Sequence, residues 1–176
     1  DINRADDLLV TVGDRATVLT SRDGAAWNLE VVPESMTDAI LLGVGGNTNM
    51  LVSVGNRGHL MTSHNSWTNV VTQNQQGTSM TNRVNTLGIF WNAVEPALTE
   101  NDLQGVTVLN DTWVVTGGKG TVLTTKDGKK WAKYQAQTSG ILTSVDAFGE
   151  YFVAVGEYGV ILTSPDGAEW TRQTSG

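Results

Sequence analysis

An internal repeat constrains this chain more than any other feature. Val153–Trp170 reads VAVGEYGVILTSPDGAEW, and three other stretches follow the same plan. They are Val10–Trp27 (VTVGDRATVLTSRDGAAW), Val114–Trp131 (VVTGGKGTVLTTKDGKKW) and Val52–Trp67 (VSVGNRGHLMTSHNSW), the last shorter at its second turn. A fixed period means one supersecondary unit repeated in space, and that decides the fold before local propensity does. Trp27 and Trp67 are 40 residues apart, Trp131 and Trp170 are 39, and Trp67 and Trp131 are 64. This spacing predicts four units, at about 1–34, 35–71, 102–136 and 137–176, with an insertion at about 72–101 between the second and third.

Each unit holds four short strand patterns separated by turn signals, which predicts an all-β meander. The strands do not simply alternate. Tyr151–Val155 and Val160–Thr163 are nearly continuous apolar runs, the mark of strands covered on both faces. The fourth strand of each unit, as in Trp131–Gln135, is the polar one and suits an exposed edge. Four-stranded antiparallel sheets stacked radially about a centre have this burial pattern, so the expected fold is a single β-propeller domain.

The turns have their own chemistry. Ser21-Arg22-Asp23-Gly24 fits a turn that ends on a residue at positive φ, a conformation glycine adopts without a Cβ clash. The aspartate can accept from backbone N–H groups just beyond it. Thr125, Asp127 and Gly128 repeat the arrangement, as do Ser164, Asp166 and Gly167, with Trp27, Trp131 and Trp170 following as packing anchors. In the second unit Trp67 takes the anchor position on the 40-residue spacing, without an Asp-Gly before it.

These segments, T/S-x-D-G-x-x-W, resemble the Asp-box or BNR repeat of sialidases and related propellers. The longer pattern from Gln137-Thr138-Ser139-Gly140 through Val155-Gly156 and Gly159-x-Ile161-Leu162-Thr163 to Trp170 is more similar to the repeats of photosystem II stability and assembly factors. The resemblance covers the chain except about 72–101. It implies propeller blades and says little of activity, because such motifs occur on enzymes and scaffolds alike. The common Asp-box has one more residue between Asp and Trp than is found here.

Composition removes several functions. Formal net charge is −7, which argues against nucleic-acid partners and anionic membranes. Lys126, Lys129, Lys130 and Lys133 cluster locally and read as a solvated strand edge. No apolar run is long enough to insert across a membrane. With no cysteine and two histidines, His59 and His64, no metal site or cofactor is expected. The Gly-x-x-Gly turns join two strands and open no helix, so they are not phosphate loops. The acidic, lysine-poor composition and the resemblance together suggest a secreted or periplasmic location.

The two chain ends are in repeat register: 174–176 matches Thr138-Ser139-Gly140, and Asp1-Ile2 matches Ser144-Val145. A self-contained four-bladed ring, a homodimer completing an eight-bladed ring and an open arc from a longer parent all fit that register. In an up-and-down blade alternate turns fall on opposite rims. One rim carries the Asp-Gly turns. The other carries the Gly-x-x-Gly turns and the links between blades, and so would present Asp14, Arg15, Asn56, Arg57, Lys119, Glu157 and Tyr158. The insertion, with Trp91, is expected on that second rim as a cap. The function expected is a non-catalytic binding or assembly module that engages a protein or glycan partner there. The alternative is a carbohydrate-active domain like the sialidases. Its resemblance would require an arginine triad, a Tyr–Glu nucleophile pair and an acid; no Arg-Ile-Pro motif is present, and sequence spacing singles out no carboxylate pair. No catalytic residue is assigned.

Overall fold

The computed structural model describes residues 1–174. The matches drawn for Ser175 and Gly176 lie outside the described residues. The described residues form four four-stranded antiparallel sheets and one separate two-stranded hairpin. Sheet I holds β1 (Ile2–Ala5), β2 (Leu8–Val12), β3 (Val18–Ser21) and β4 (Asn28–Leu29) in chain order. Sheet II holds β5 (Leu41–Gly46), β6 (Met50–Gly55), β7 (Leu60–His64) and, as its outer strand, β10 (Asn92–Ala93). The hairpin pairs β8 (Trp67–Gln73) with β9 (Ser79–Asn85). Sheet III holds β11 (Leu103–Leu109), β12 (Thr112–Gly117), β13 (Thr121–Thr125) and β14 (Trp131–Gln135). Sheet IV holds β15 (Leu142–Phe148), β16 (Tyr151–Gly156), β17 (Val160–Ser164) and β18 (Thr171–Arg172).

The first strands β1, β5, β11 and β15 lie side by side in that order, so the sheets stack face to face. Three apolar seams join them. Leu8, Val10 and Val18 of sheet I meet Leu41, Leu51 and Met61 of sheet II. Val52, Val54 and Leu60 meet Leu103, Val115 and Leu123. Val114 and Val122 meet Leu142, Phe152 and Leu162. At roughly 25 cal/mol for each Å² of apolar surface removed from water, these seams rather than the narrow sheets hold the molecule together. Strands β6 and β12 are accordingly buried along nearly their whole length, on both faces. Strands β2 and β17 alternate buried with half-buried residues, because sheets I and IV have a neighbour on one side only.

The second unit differs from the sequence reading. Trp67 is not its packing anchor: it opens the hairpin and is 56% exposed, with Arg83 5.5 Å over its ring. The anchor is Trp91, 6% exposed in the seam with sheet I. The unit therefore does not end near residue 71, and the extra chain is not a link between units. The hairpin interrupts the turn between the third and fourth strands, β7 and β10, of sheet II. It springs from the Asp-Gly rim, opposite the rim expected for it, so it does not cap the Gly-x-x-Gly turns. Trp91 was expected to bind a partner there; its burial makes it a structural residue.

Candidate functional site

The two rims are built by two kinds of turn. On the first, Ser21 Oγ accepts from Gly24 N at 2.9 Å, and Trp27 Nε1 donates to the Gly24 carbonyl at 3.2 Å. Thr125, Gly128 and Trp131 repeat these bonds at 3.0 and 3.0 Å, and Ser164, Gly167 and Trp170 at 2.8 and 2.9 Å. Asp23, Asp127 and Asp166 each turn Oδ1 back to accept two backbone N–H groups beyond the turn. Those bonds hold all three carboxyls below the ordinary value of 3.8, since a carboxylate that accepts N–H bonds is favoured in its charged form. The aspartates are thus structural, engaged with their own turns.

The second unit builds the same turn from two distant pieces. Ser63 Oγ accepts from Gly88 N at 2.8 Å, and Trp91 Nε1 donates to the Gly88 carbonyl at 2.8 Å. Gly88 has φ +77°, like Gly24, Gly128 and Gly167 at +74°, +69° and +79°. Leu87 stands where the aspartate would. The signal was present in the sequence: Gly88-x-x-Trp91 keeps the spacing of the other units, and Trp91 lies 40 residues before Trp131.

The opposite rim carries four equivalent reversals, Asp14–Thr17, Asn56–His59, Gly118–Thr121 and Glu157–Val160, each closed by a bond from its last N–H to its first carbonyl. Their central pairs, Arg15-Ala16, Arg57-Gly58, Lys119-Gly120 and Tyr158-Gly159, all have positive φ, the signature of a type I′ hairpin turn. Gly55, just before its reversal, is required for a different reason: a Cβ there would lie 2.3 Å from the Ile40 carbonyl oxygen of the incoming chain.

At the tip of each reversal the first central residue is not glycine or asparagine, the usual choices. It is Arg15, Arg57, Lys119 or Tyr158, held at φ +51°, +51°, +55° and +59°. All four side chains are exposed, Tyr158 at 86%. Left-handed backbone costs a residue with a Cβ about 1 kcal/mol. Adjacent acids form no ion pair with the cations and bond to backbone N–H groups instead. Asp14 Oδ1 accepts from Arg15 N, Asp102 Oδ1 from Arg57 N and Glu157 Oε2 from Ile141 N, each at 2.9 Å. Among the described residues the one ion pair is Arg22 with Asp7, on another part of the surface.

A groove of about 700 Å³ opens between sheets III and IV at the Asp-Gly rim, lined by Thr124, Lys126, Lys130, Trp131, Ala132 and Tyr134 among others. The equivalent groove between sheets I and II holds 240 Å³, because Asn28 and Glu30 stand where sheet III has Ala132 and Tyr134, and Leu87 and Ile89 wall its far side. Lys126 and Lys130, read from sequence as a solvated edge, line the lip of the larger groove.

No protein-family model matches the chain, and no curated protein matches it. Solved structures do. A structure of YCF48 bound to D1 peptide superposes with a TM-score of 0.68 at 19% identity, over 100% of this chain and 53% of that one. YCF48 from Cyanidioschyzon merolae gives 0.66 at 17% identity, over 99% and 56%. The chain shares the β-propeller fold. Human WBSCR16 gives 0.55 at 12% identity, over 99% of this chain and 52% of that one. The chain spans about half the length of these solved proteins.

Proposed function

We propose that this chain is a non-catalytic protein-binding module whose ligand is an acidic, extended segment of a partner protein, met on the rim of Arg15, Arg57, Lys119 and Tyr158. The observation that carries this is the set of four left-handed turn tips. Backbone strain retained at equivalent positions, where glycine would relieve it, points to use of the side chains. Three of the four are unpaired cations on a chain of net charge −7. A carboxylate-rich segment laid across the tips meets one cation per sheet, with the Tyr158 phenol at the end of the row. YCF48, of the same fold, has been seen with a peptide bound, which supports a protein partner over a small molecule.

The reading is tested by fluorescence anisotropy with a labelled glutamate-rich peptide of about a dozen residues. Binding should weaken with salt, as exposed charges are screened within about 8 Å at physiological ionic strength. Arg57→Glu should weaken it about tenfold, equivalent to about 1.4 kcal/mol. Salt-independent binding, or an unchanged isotherm for Arg57→Glu, contradicts the proposal.

The groove between sheets III and IV favours a second reading, a glycan ligand. Tyr134 offers an aromatic face there, and threonine hydroxyls, lysines and Asp127 offer donors and acceptors of both signs. Tyr134→Ala should abolish any retention on a glycan array, and a chain that retains no glycan at all removes this reading.

A further inference from the structure

The third strand of every sheet carries a threonine at the same repeat position, and the four sheets satisfy its hydroxyl differently. The threonines are Thr20, Thr62, Thr124 and Thr163. Three residues after each anchor tryptophan, the fourth strands bring Glu30, Val94, Tyr134 and Gln173 to the matching place. In sheet I the Thr20 hydroxyl donates to Glu30 Oε1. In sheet IV Thr163 Oγ1 accepts from Gln173 Nε2 at 2.8 Å. Sheets II and III supply nothing equivalent. Val94 has no polar side-chain atom, and among the described residues no side chain bonds to the Thr124 hydroxyl.

Thr124 keeps the posture of Thr20. The methyl of each turns to the turn glycine of the next sheet, 3.3 Å from where a Cβ on Gly88 would sit for Thr20 and 3.2 Å from one on Gly167 for Thr124. Thr62 is 3% exposed opposite Asn92, out of a ligand's reach, whereas Thr124 is half-buried and lines the 700 Å³ groove. That volume lies within the range of about 300–1,000 Å³ that small-ligand sites span. Opposite Thr124 stands Ala132, where sheets I and II have Asn28 and Asn92, so there is room beside the hydroxyl. Tyr134, 37% exposed, lines the same groove. Lys126 and Lys130 are matched there by Asp127 and Asp166, so the lining suits a ligand without net charge.

We propose that this groove takes an N-acetylated hexosamine of a glycan chain. The inference rests on the glycan reading of the groove and narrows its ligand. The protein's own side chains show what the threonine accepts: a carboxylate in sheet I and a carboxamide in sheet IV. A free carboxylate in the groove would stand among Asp127 and Asp166, and like charges repel. The acetamido group is the neutral counterpart. Its N–H donates to Thr124 Oγ1, as the Gln173 amide does to Thr163, and its methyl meets Ala132. The sugar ring lies on Tyr134, apolar face to aromatic face. The left-handed tips take no part, since they lie on the opposite rim.

Calorimetric titration with chitotetraose and cellotetraose tests it, because the two sugars share their linkage and differ in the acetamido group. Chitotetraose should bind at least about tenfold more tightly, the effect of one added hydrogen bond. Thr124→Val keeps the side chain's shape without its hydroxyl. It should leave the far-ultraviolet spectrum unchanged and bring chitotetraose down to the level of cellotetraose, and Thr124→Ser should restore the preference. Ala132→Asn should fill the groove and abolish binding of both sugars. Equal binding of the two sugars by the parent chain, or a preference that survives Thr124→Val, overturns the inference and leaves the glycan reading standing. Failure of chitotetraose to bind overturns it as well. Other glycans retained on the array then keep the wider reading, and an array that retains none removes both.

Discussion

At the scale of the residue, position within the repeat assigns each side chain its work, and the exceptions are the informative places. Trp91 and Trp67 were easily exchanged in the sequence, since a tryptophan 40 residues after Trp27 satisfies the period. Burial separates them. Trp91→Ala should cost about 3–5 kcal/mol, the usual loss for a large aromatic truncated in a core, and Trp67→Ala about 0.5 kcal/mol. Urea unfolding of the two variants checks this. The turn tips reverse the usual direction of damage. Arg57→Gly should raise stability by up to about 1 kcal/mol, because glycine has no Cβ to strain at φ +51°. The same substitution should weaken peptide binding. A thermal melt and an isotherm on one variant therefore separate strain kept for function from strain without use. The spacing of Arg15, Arg57, Lys119 and Tyr158 was legible from the repeat. Their left-handed backbone was less so, because no cue other than the following Gly58, Gly120 and Gly159 marks it.

At the scale of the element, sequence reading succeeded where pattern and packing agree. The inner strands were legible because strands covered on both faces must be apolar throughout, as β6 and β12 are. The hairpin of β8 and β9 was not, because it packs on no sheet face and its exposed strands carry mixed side chains with no burial pattern to read. Its place within the second unit predicts that it is removable. Deleting residues 65–86 together with Leu87→Asp brings Ser63-His64 next to an Asp-Gly-Ile-Phe-Trp segment, which restores the motif of the other units. That variant should fold with a melting temperature within a few degrees of the parent. Deleting 75–98 instead removes Trp91 and β10, and should leave sheet II without its outer strand and the chain aggregated. Circular dichroism melts of both deletions distinguish an insertion inside the unit from a link between units.

At the scale of the whole molecule, the sheets stand or fall together through their seams, and pH acts on the turns that fix seam geometry. Asp23, Asp127 and Asp166 have folded-state values below 3.8, so each stabilises the fold above that pH. Their contribution is lost as pH falls through the lowered values, because protonation then breaks bonds that the unfolded chain never had. Acid melts should thus show a loss of stability below about pH 4 that is smaller in a variant with all three changed to asparagine. That variant starts less stable at pH 7 and changes less on acidification. The molecule presents two rims built from different turns, and the central claim is that the one with the left-handed tips binds the partner. The most direct test is a backbone amide shift map of the labelled protein titrated with the glutamate-rich peptide. The account predicts shifts at Arg15, Arg57, Lys119 and Tyr158 and at the residues flanking them, with the groove from Lys126 to Tyr134 unmoved. Shifts confined to that groove, or scattered over both rims, would contradict it.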